Sequence, residues 1–148
     1  MTPVGYLFQA MSDVEELVRG FEDCTLPKSE WHHQAHLVVA IWYVSFLPEV
    51  EATERVIAGI QRYNRAKGTT TAINGGYHET LTLFWLAIAQ HFVSNADPGT
   101  SFVQRVNDFV EQYGDRKDLI REYYSNEHIC SCRARQTWVE PDLKPLAF

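Results

Sequence analysis

Two segments of this chain combine a histidine-rich start with a nearly continuous apolar run: residues 31–47 and residues 77–93. At 100° per residue, apolar side chains cover almost the whole circumference of both predicted helices. A helix that is apolar all round lies at the centre of a bundle. Two central helices in a small bundle must touch, so the pattern predicts that His78 faces His33 and His36 across the core.

The remainder of the chain repeats the helical pattern and contains no convincing strand. Ser12 and Glu15 have the spacing of a capping box, which predicts the start of the first helix. Gly68 is placed to end the third helix, and Pro141 and Pro145 are typical of an extended segment. The sequence predicts a single all-α domain over residues 1–148, a bundle of about five to six helices with an N-terminal arm (1–11) and an extended, irregular C-terminal tail (125–148). The predicted helices begin near residue 12, then cover about 30–47, 49–68, 77–94, 102–113 and a short stretch around 119–124.

Composition excludes several functional classes. The net charge is −6 and lysine and arginine form no cluster, which argues against nucleic-acid binding. The apolar runs are too short to span about 30 Å of hydrocarbon, and no signal-peptide pattern is present. Three cysteines, an odd number without a secretory context, indicate free thiols and a cytoplasmic location.

The histidines are spaced as metal ligands can be. His33 and His36 are three residues apart, and His32 and His36 are four apart, so either pair can point both imidazoles at one ion. His78 or Glu79 would add a third ligand and leave a position open for water. Three protein ligands plus water is the catalytic zinc arrangement, and iron, nickel and manganese are other candidate metals.

Two other interpretations of the same residues remain open. A metal-free pocket would use the imidazoles and Glu79 for acid–base chemistry or ligand binding, because titratable groups in an apolar setting often mark a site. Alternatively, the histidines are neutral structural groups, hydrogen-bonded to hydroxyls such as those of Tyr43 or Thr82. Glu79 itself is either a catalytic base or ligand, or a first-turn carboxylate that complements the helix dipole. His33 is favoured over His32, which lies about 100° round the helix.

Several residues outside the histidine strings are candidates for ligand contacts. Arg135 would bring a cation to an anionic ligand, and Tyr77 is a candidate ligand-binding residue beside His78. Gly75 and Gly76 precede a helix and can form either an anion-binding nest or an ordinary turn, with the turn favoured. The pair Cys130 and Cys132 has one intervening residue, which is shorter than the usual zinc spacing.

The order of these strings resembles a family of small uncharacterised bacterial proteins. Its pattern is aromatic-x-His-x-x-His-Leu, a glycine-bearing loop, Tyr-His-Glu-Thr, then Ala-Arg and Pro-Asp-Leu, and the similarity spans about residues 21–146. The resemblance implies which positions form the site and favours His33 over His32, but it implies no reaction. The matching residues are Trp31, His33, His36, Leu37, Gly68, Tyr77, His78, Glu79, Thr80, Ala134, Arg135, Pro141, Asp142 and Leu143.

The sequence therefore predicts an interior pocket shared by His33, His36 and His78. As an enzyme, the protein would act on a small molecule through a metal or through proton transfer, with Glu79 as base or ligand and Arg135 holding an anionic substrate. The alternative is a non-enzymatic helical module that binds a ligand or partner and keeps its histidines for structure. The surplus of aromatic residues would also suit a homodimer interface.

Overall fold

The chain is a bundle of α-helices in a computed structural model that describes residues 8–71 and 75–148. No strand occurs among these residues, so the all-α prediction is confirmed. Most of the predicted N-terminal arm, residues 1–7, lies outside the described part. The helices are α1 (Met11–Glu22), α2 (His33–Phe46), α3 (Glu49–Ala66), α4 (Glu79–Ser94), α5 (Phe102–Tyr113), α6 (Asn126–Ile129) and α7 (Cys132–Gln136), with 3-10 turns at Lys28–Glu30 and Lys117–Glu122.

Helix α2 lies at the centre of the bundle. It packs against α1, α3, α4 and α5, and its most extensive partner is α4. Leu37, Val38 and Val39 are at most 1% exposed although successive side chains point about 100° apart around the helix. This confirms the prediction from its all-round apolar surface. Within the described ranges, no helix is long and apolar enough to cross a membrane.

A column of aromatic rings connects α1 and α3 to the start of α2. Phe21 stacks on Trp31 with 4.9 Å between ring centroids, and Trp31 lies 3.8 Å from the His36 ring. On the other side, a Cβ at Gly59 would come within 2.7 Å of the Phe21 ring, so only glycine permits this close approach of α3. Tyr63 flanks Trp31 and donates a hydrogen bond to the Leu26 carbonyl at 2.6 Å.

Three predicted helix starts differ from the observed ones by one to three residues, and α4 begins at Glu79 rather than near residue 77 because His78 is its N-cap. Helix α1 begins at Met11, before the predicted capping box, because the Asp13 carboxylate accepts a hydrogen bond from the backbone N–H of Ala10 at 3.1 Å. Helix α2 begins at His33 rather than near residue 30, because the 3-10 turn at Lys28–Glu30 precedes it and leaves Trp31 outside the helix.

The C-terminal tail is less irregular than predicted. It contains α6 and α7, each capped by a serine hydroxyl: that of Ser125 accepts from the backbone N–H of His128, and that of Ser131 from Ala134. Residues 137–148 contain no helix or strand. This last part is held to the bundle by Tyr124, whose hydroxyl donates to the Val139 carbonyl at 2.6 Å.

Thr80 joins α4 to the tail. Its side chain is completely buried, and its hydroxyl donates to the Thr137 carbonyl at 2.8 Å while accepting from the Val139 N–H at 3.2 Å. One hydroxyl therefore satisfies two backbone groups of a segment that has no helix or sheet to pair them.

Replacing Thr80 with valine should destabilise the protein. The substitution keeps the shape of the side chain but removes the partner of the buried Val139 N–H and of the partly buried Thr137 carbonyl, which costs about 1–3 kcal/mol. Urea denaturation would measure the change in the free energy of unfolding. The matched control is Thr53→Val on α3, where the hydroxyl bonds only to the Glu49 carbonyl at the surface and a change within about 0.5 kcal/mol is expected. Equal losses in both variants would contradict this role of Thr80.

Candidate functional site

A cavity of about 560 Å³ opens between α2, α3 and α4, and His33, His36 and His78 all line it. The sequence favoured His33 over His32 as the residue that faces the pocket. In the structure both of them line the cavity. His32 precedes the first residue of α2, where the extended backbone turns its side chain away from the helical spacing assumed from the sequence.

The walls of the cavity are mainly aromatic and aliphatic. Trp31 lies on one side and Trp85 of α4 on another, and the polar lining outside the histidines includes Asn64, Thr69 and Thr82. The apolar lining residues are Trp31, Val39, Ala40, Val56, Ile60, Tyr77, Leu81, Trp85 and Leu86.

His36 is the most strongly perturbed of the histidines. Its Nδ1 lies 2.8 Å from the His32 carbonyl oxygen, which only accepts, so Nδ1 carries the proton and Nε2 is an unprotonated acceptor. No other hydrogen bond to this ring is found in the described part of the chain. Burial lowers the pKa of His36 to about 4, against the opposing effect of the bond to His32. The ring is therefore neutral at pH 7.

His33 ties the start of α2 to the end of α5. Its Nε2 donates to the Tyr113 carbonyl at 3.0 Å, and its ring meets the edge of Trp85 with 4.7 Å between centroids. Nδ1 is then the unprotonated nitrogen. Burial lowers the pKa of His33, and the positive charge of Lys117 lowers it further. Gln34 reinforces the same junction by donating to the Gly114 carbonyl at 3.0 Å, a contact that the sequence pattern did not indicate.

His78 uses both ring nitrogens inside the protein. Nδ1 accepts from the backbone N–H of Leu81 at 3.1 Å and so caps α4, while Nε2 donates to the Ile129 carbonyl at 2.8 Å. Burial lowers its pKa. This ring has no nitrogen left for a metal. Among the described residues, no group of three or more histidine, cysteine, aspartate or glutamate side chains could hold a metal ion.

Tyr77 and Glu79 form a pair beside the cavity. The Tyr77 hydroxyl donates to Glu79 Oε1 at 2.5 Å, and burial, with the nearby carboxylate, raises the pKa of Tyr77. Tyr77 lines the cavity but Glu79 does not. Glu79 is the first residue of α4, the position at which a carboxylate complements the helix dipole.

Arg135 contacts backbone oxygens and does not line the cavity. Its Nη1 donates to the carbonyls of Gly75, Gly76 and Tyr77 at 3.0, 3.2 and 3.2 Å. The glycine pair thus presents carbonyls to a cation, which is the reverse of an anion-binding nest. Gly76 has φ +83°, and a Cβ there would come within 2.6 Å of Thr71, so the turn requires glycine.

Two cavity residues, Lys28 and Lys117, were not singled out from the sequence. Each is exposed and lines the cavity, so the two lysines mark its solvent side. They come from the two 3-10 turns, far apart in the chain. No local pattern connects them, and only the packing of these turns around α2 brings them to one opening.

Comparisons with protein-family models, curated proteins and solved structures found no match for this chain. The resemblance to a bacterial family described above therefore stays a prediction.

Lowered pKa values of His33, His36 and His78 should make stability depend on pH. Because the folded state binds protons more weakly than the unfolded chain, stability is complete above the ordinary histidine pKa of 6.5 and falls as pH decreases towards about 4, the pKa of His36. Denaturation at a series of pH values would measure this decline.

The control for this prediction separates histidines from carboxylates. His36→Gln should flatten the stability profile between pH 6.5 and 4 relative to the parent, whereas His91→Gln, at an exposed position near the end of α4, should keep the parental slope. An unchanged slope in His36→Gln would show that His36 is not perturbed by burial.

Proposed function

We propose that this protein binds a small organic molecule with an apolar body in the cavity, and that His36 accepts a hydrogen bond from it. The main support for this proposal is the cavity itself, which has a volume of about 560 Å³, aromatic and aliphatic walls and a few polar groups that converge on it. Small-molecule sites are typically about 300–1,000 Å³ and have this composition.

The hydrogen bonds of the histidines support a role as acceptors. His36 and His33 each donate through one ring nitrogen to a backbone carbonyl, which fixes the tautomer and leaves the other nitrogen as an acceptor. A ligand hydroxyl or N–H is the complementary group. If the two histidines had only a structural role, Nε2 of His36 and Nδ1 of His33 would accept no hydrogen bond from a ligand.

Binding is better supported than acid–base catalysis. A general acid or base works best with a pKa near the working pH. With a pKa of about 4, His36 has almost no protonated form at pH 7 and accepts protons weakly. Glu79, the other predicted base, is hydrogen-bonded to Tyr77 outside the cavity lining.

A metal centre has little support from the same contacts. A ligating histidine needs one ring nitrogen free for the metal. His78, the predicted third ligand, accepts a hydrogen bond through Nδ1 and donates one through Nε2.

A matched pair of neutral compounds tests the acceptor role of His36. 2-Naphthol offers an apolar body and one hydroxyl donor, and 2-methoxynaphthalene has the same body without the donor. Isothermal titration should show tighter binding of 2-naphthol to the parent protein. His36→Phe should weaken 2-naphthol binding about tenfold, the equivalent of one hydrogen bond, and leave 2-methoxynaphthalene unaffected. The variant should fold, since the His32 carbonyl keeps its bond to the His36 backbone N–H.

Filling the cavity provides the control for location. Ala40 lines the cavity, so Ala40→Leu should weaken both compounds, whereas Ala58→Leu on the exposed face of α3 should change neither. Circular dichroism would verify that both variants are folded. Absence of binding to the folded parent, or binding unaffected by Ala40→Leu, would overturn the proposal.

A further inference from the structure

The two lysines at the cavity differ from the other lysines of the chain. The sequence contains four, of which Lys67 lies over the Tyr63 ring and Lys144 lies near Glu122 and over the Tyr123 ring. Lys28 and Lys117 line the cavity, and neither forms an ion pair with any described residue. These two lysines therefore have no direct ion-pair partner among the described residues.

The cavity lacks negative charge, although the protein as a whole is acidic. The chain has 19 aspartates and glutamates against 13 lysines and arginines, yet no carboxylate is found among the described residues that line the cavity. Residues 1–7 and 72–74, outside the described part, contain no acidic residue either. The described lining thus carries two lysines and no carboxylate, although the protein as a whole is negative, and this lining favours an anion.

Lys117 also acts on a histidine of the cavity wall. The charge of Lys117 contributes to the lowered pKa of His33, so the two side chains interact electrostatically. A ligand anion beside Lys117 would lie at the solvent side, and its apolar body would point inwards to Trp31 and Trp85.

We propose that the ligand is a hydrophobic monocarboxylate with its carboxylate between Lys28 and Lys117. This inference rests on the proposed function and specifies its substrate class. A single negative charge fits best because the lining beyond the lysines is mainly apolar and would not replace the hydration of a phosphate dianion. No arginine lines the described cavity, and bidentate arginine is the usual partner of phosphate.

The test compares compounds that differ only in charge. 6-Hydroxy-2-naphthoate keeps the body and hydroxyl of 2-naphthol and adds a carboxylate, and 6-hydroxy-2-naphthamide is its neutral counterpart. By isothermal titration at low salt, the acid should bind about three- to tenfold more tightly than the amide, as two exposed charge pairs allow. The preference should shrink as salt screens the lysines.

Two double variants give a matched control. Lys28→Ala/Lys117→Ala should remove the preference for the acid over the amide. Lys67→Ala/Lys144→Ala removes the same number of positive charges away from the cavity and should keep the preference. Equal effects of the two double variants would mean that net charge, and not this site, attracts the anion, and would overturn the inference.

The remaining outcomes separate this inference from the proposed function. If the amide and 2-naphthol bind but the acid has no advantage, the cavity binds small molecules and the carboxylate assignment is wrong. Tighter binding of 2-naphthyl phosphate than of the naphthoate would also overturn the assignment in favour of a phosphate. If none of the compounds binds the folded parent, the proposed function itself fails.

Discussion

Helix α2 packs against four other helices, and the side chains near its start are partly buried, so each ring N–H there needs an acceptor inside the protein. Leaving such a group unpaired would cost about 1–3 kcal/mol. His36 meets this requirement by donating to the His32 carbonyl, and His33 by donating to the Tyr113 carbonyl. These bonds place the start of α2 against α5 and beside Trp31, and they define one wall of the cavity.

The same requirement explains the other side of the site. His78 caps α4 and reaches the Ile129 carbonyl, while Arg135 gathers three consecutive carbonyls of the preceding turn. Both contacts join the start of α4 to the C-terminal segment. Residues that the sequence indicated as chemical groups therefore also build the frame around the cavity. In the proposed function, the groups that would contact the ligand are Nε2 of His36, Nδ1 of His33 and the two lysines.

Sequence patterns predicted the architecture well where the distribution of apolar residues around a helix determines which of its faces are buried. The all-round apolar character of α2 predicted its central position, and the stripe of α5 matched its bounds at Phe102–Tyr113. Helix starts were less predictable because the capping group depends on local geometry: Asp13 reaches back to Ala10 in place of the Ser12 and Glu15 pair. The short helices of the tail were missed since four or five residues are too few to form a periodic pattern.

The sequence by itself determined that the chain is all-α and that histidines occupy the starts of two apolar helices, because both follow from the order of apolar and polar residues along the chain. The tertiary structure decided what each candidate does, since hydrogen-bond partners such as Tyr113 and Ile129 come from distant segments. It alone placed Glu79 against Tyr77 and Arg135 against the glycine turn. It alone brought Lys28 and Lys117 to one opening, because electrostatic neighbours are set by distance in space and not along the chain.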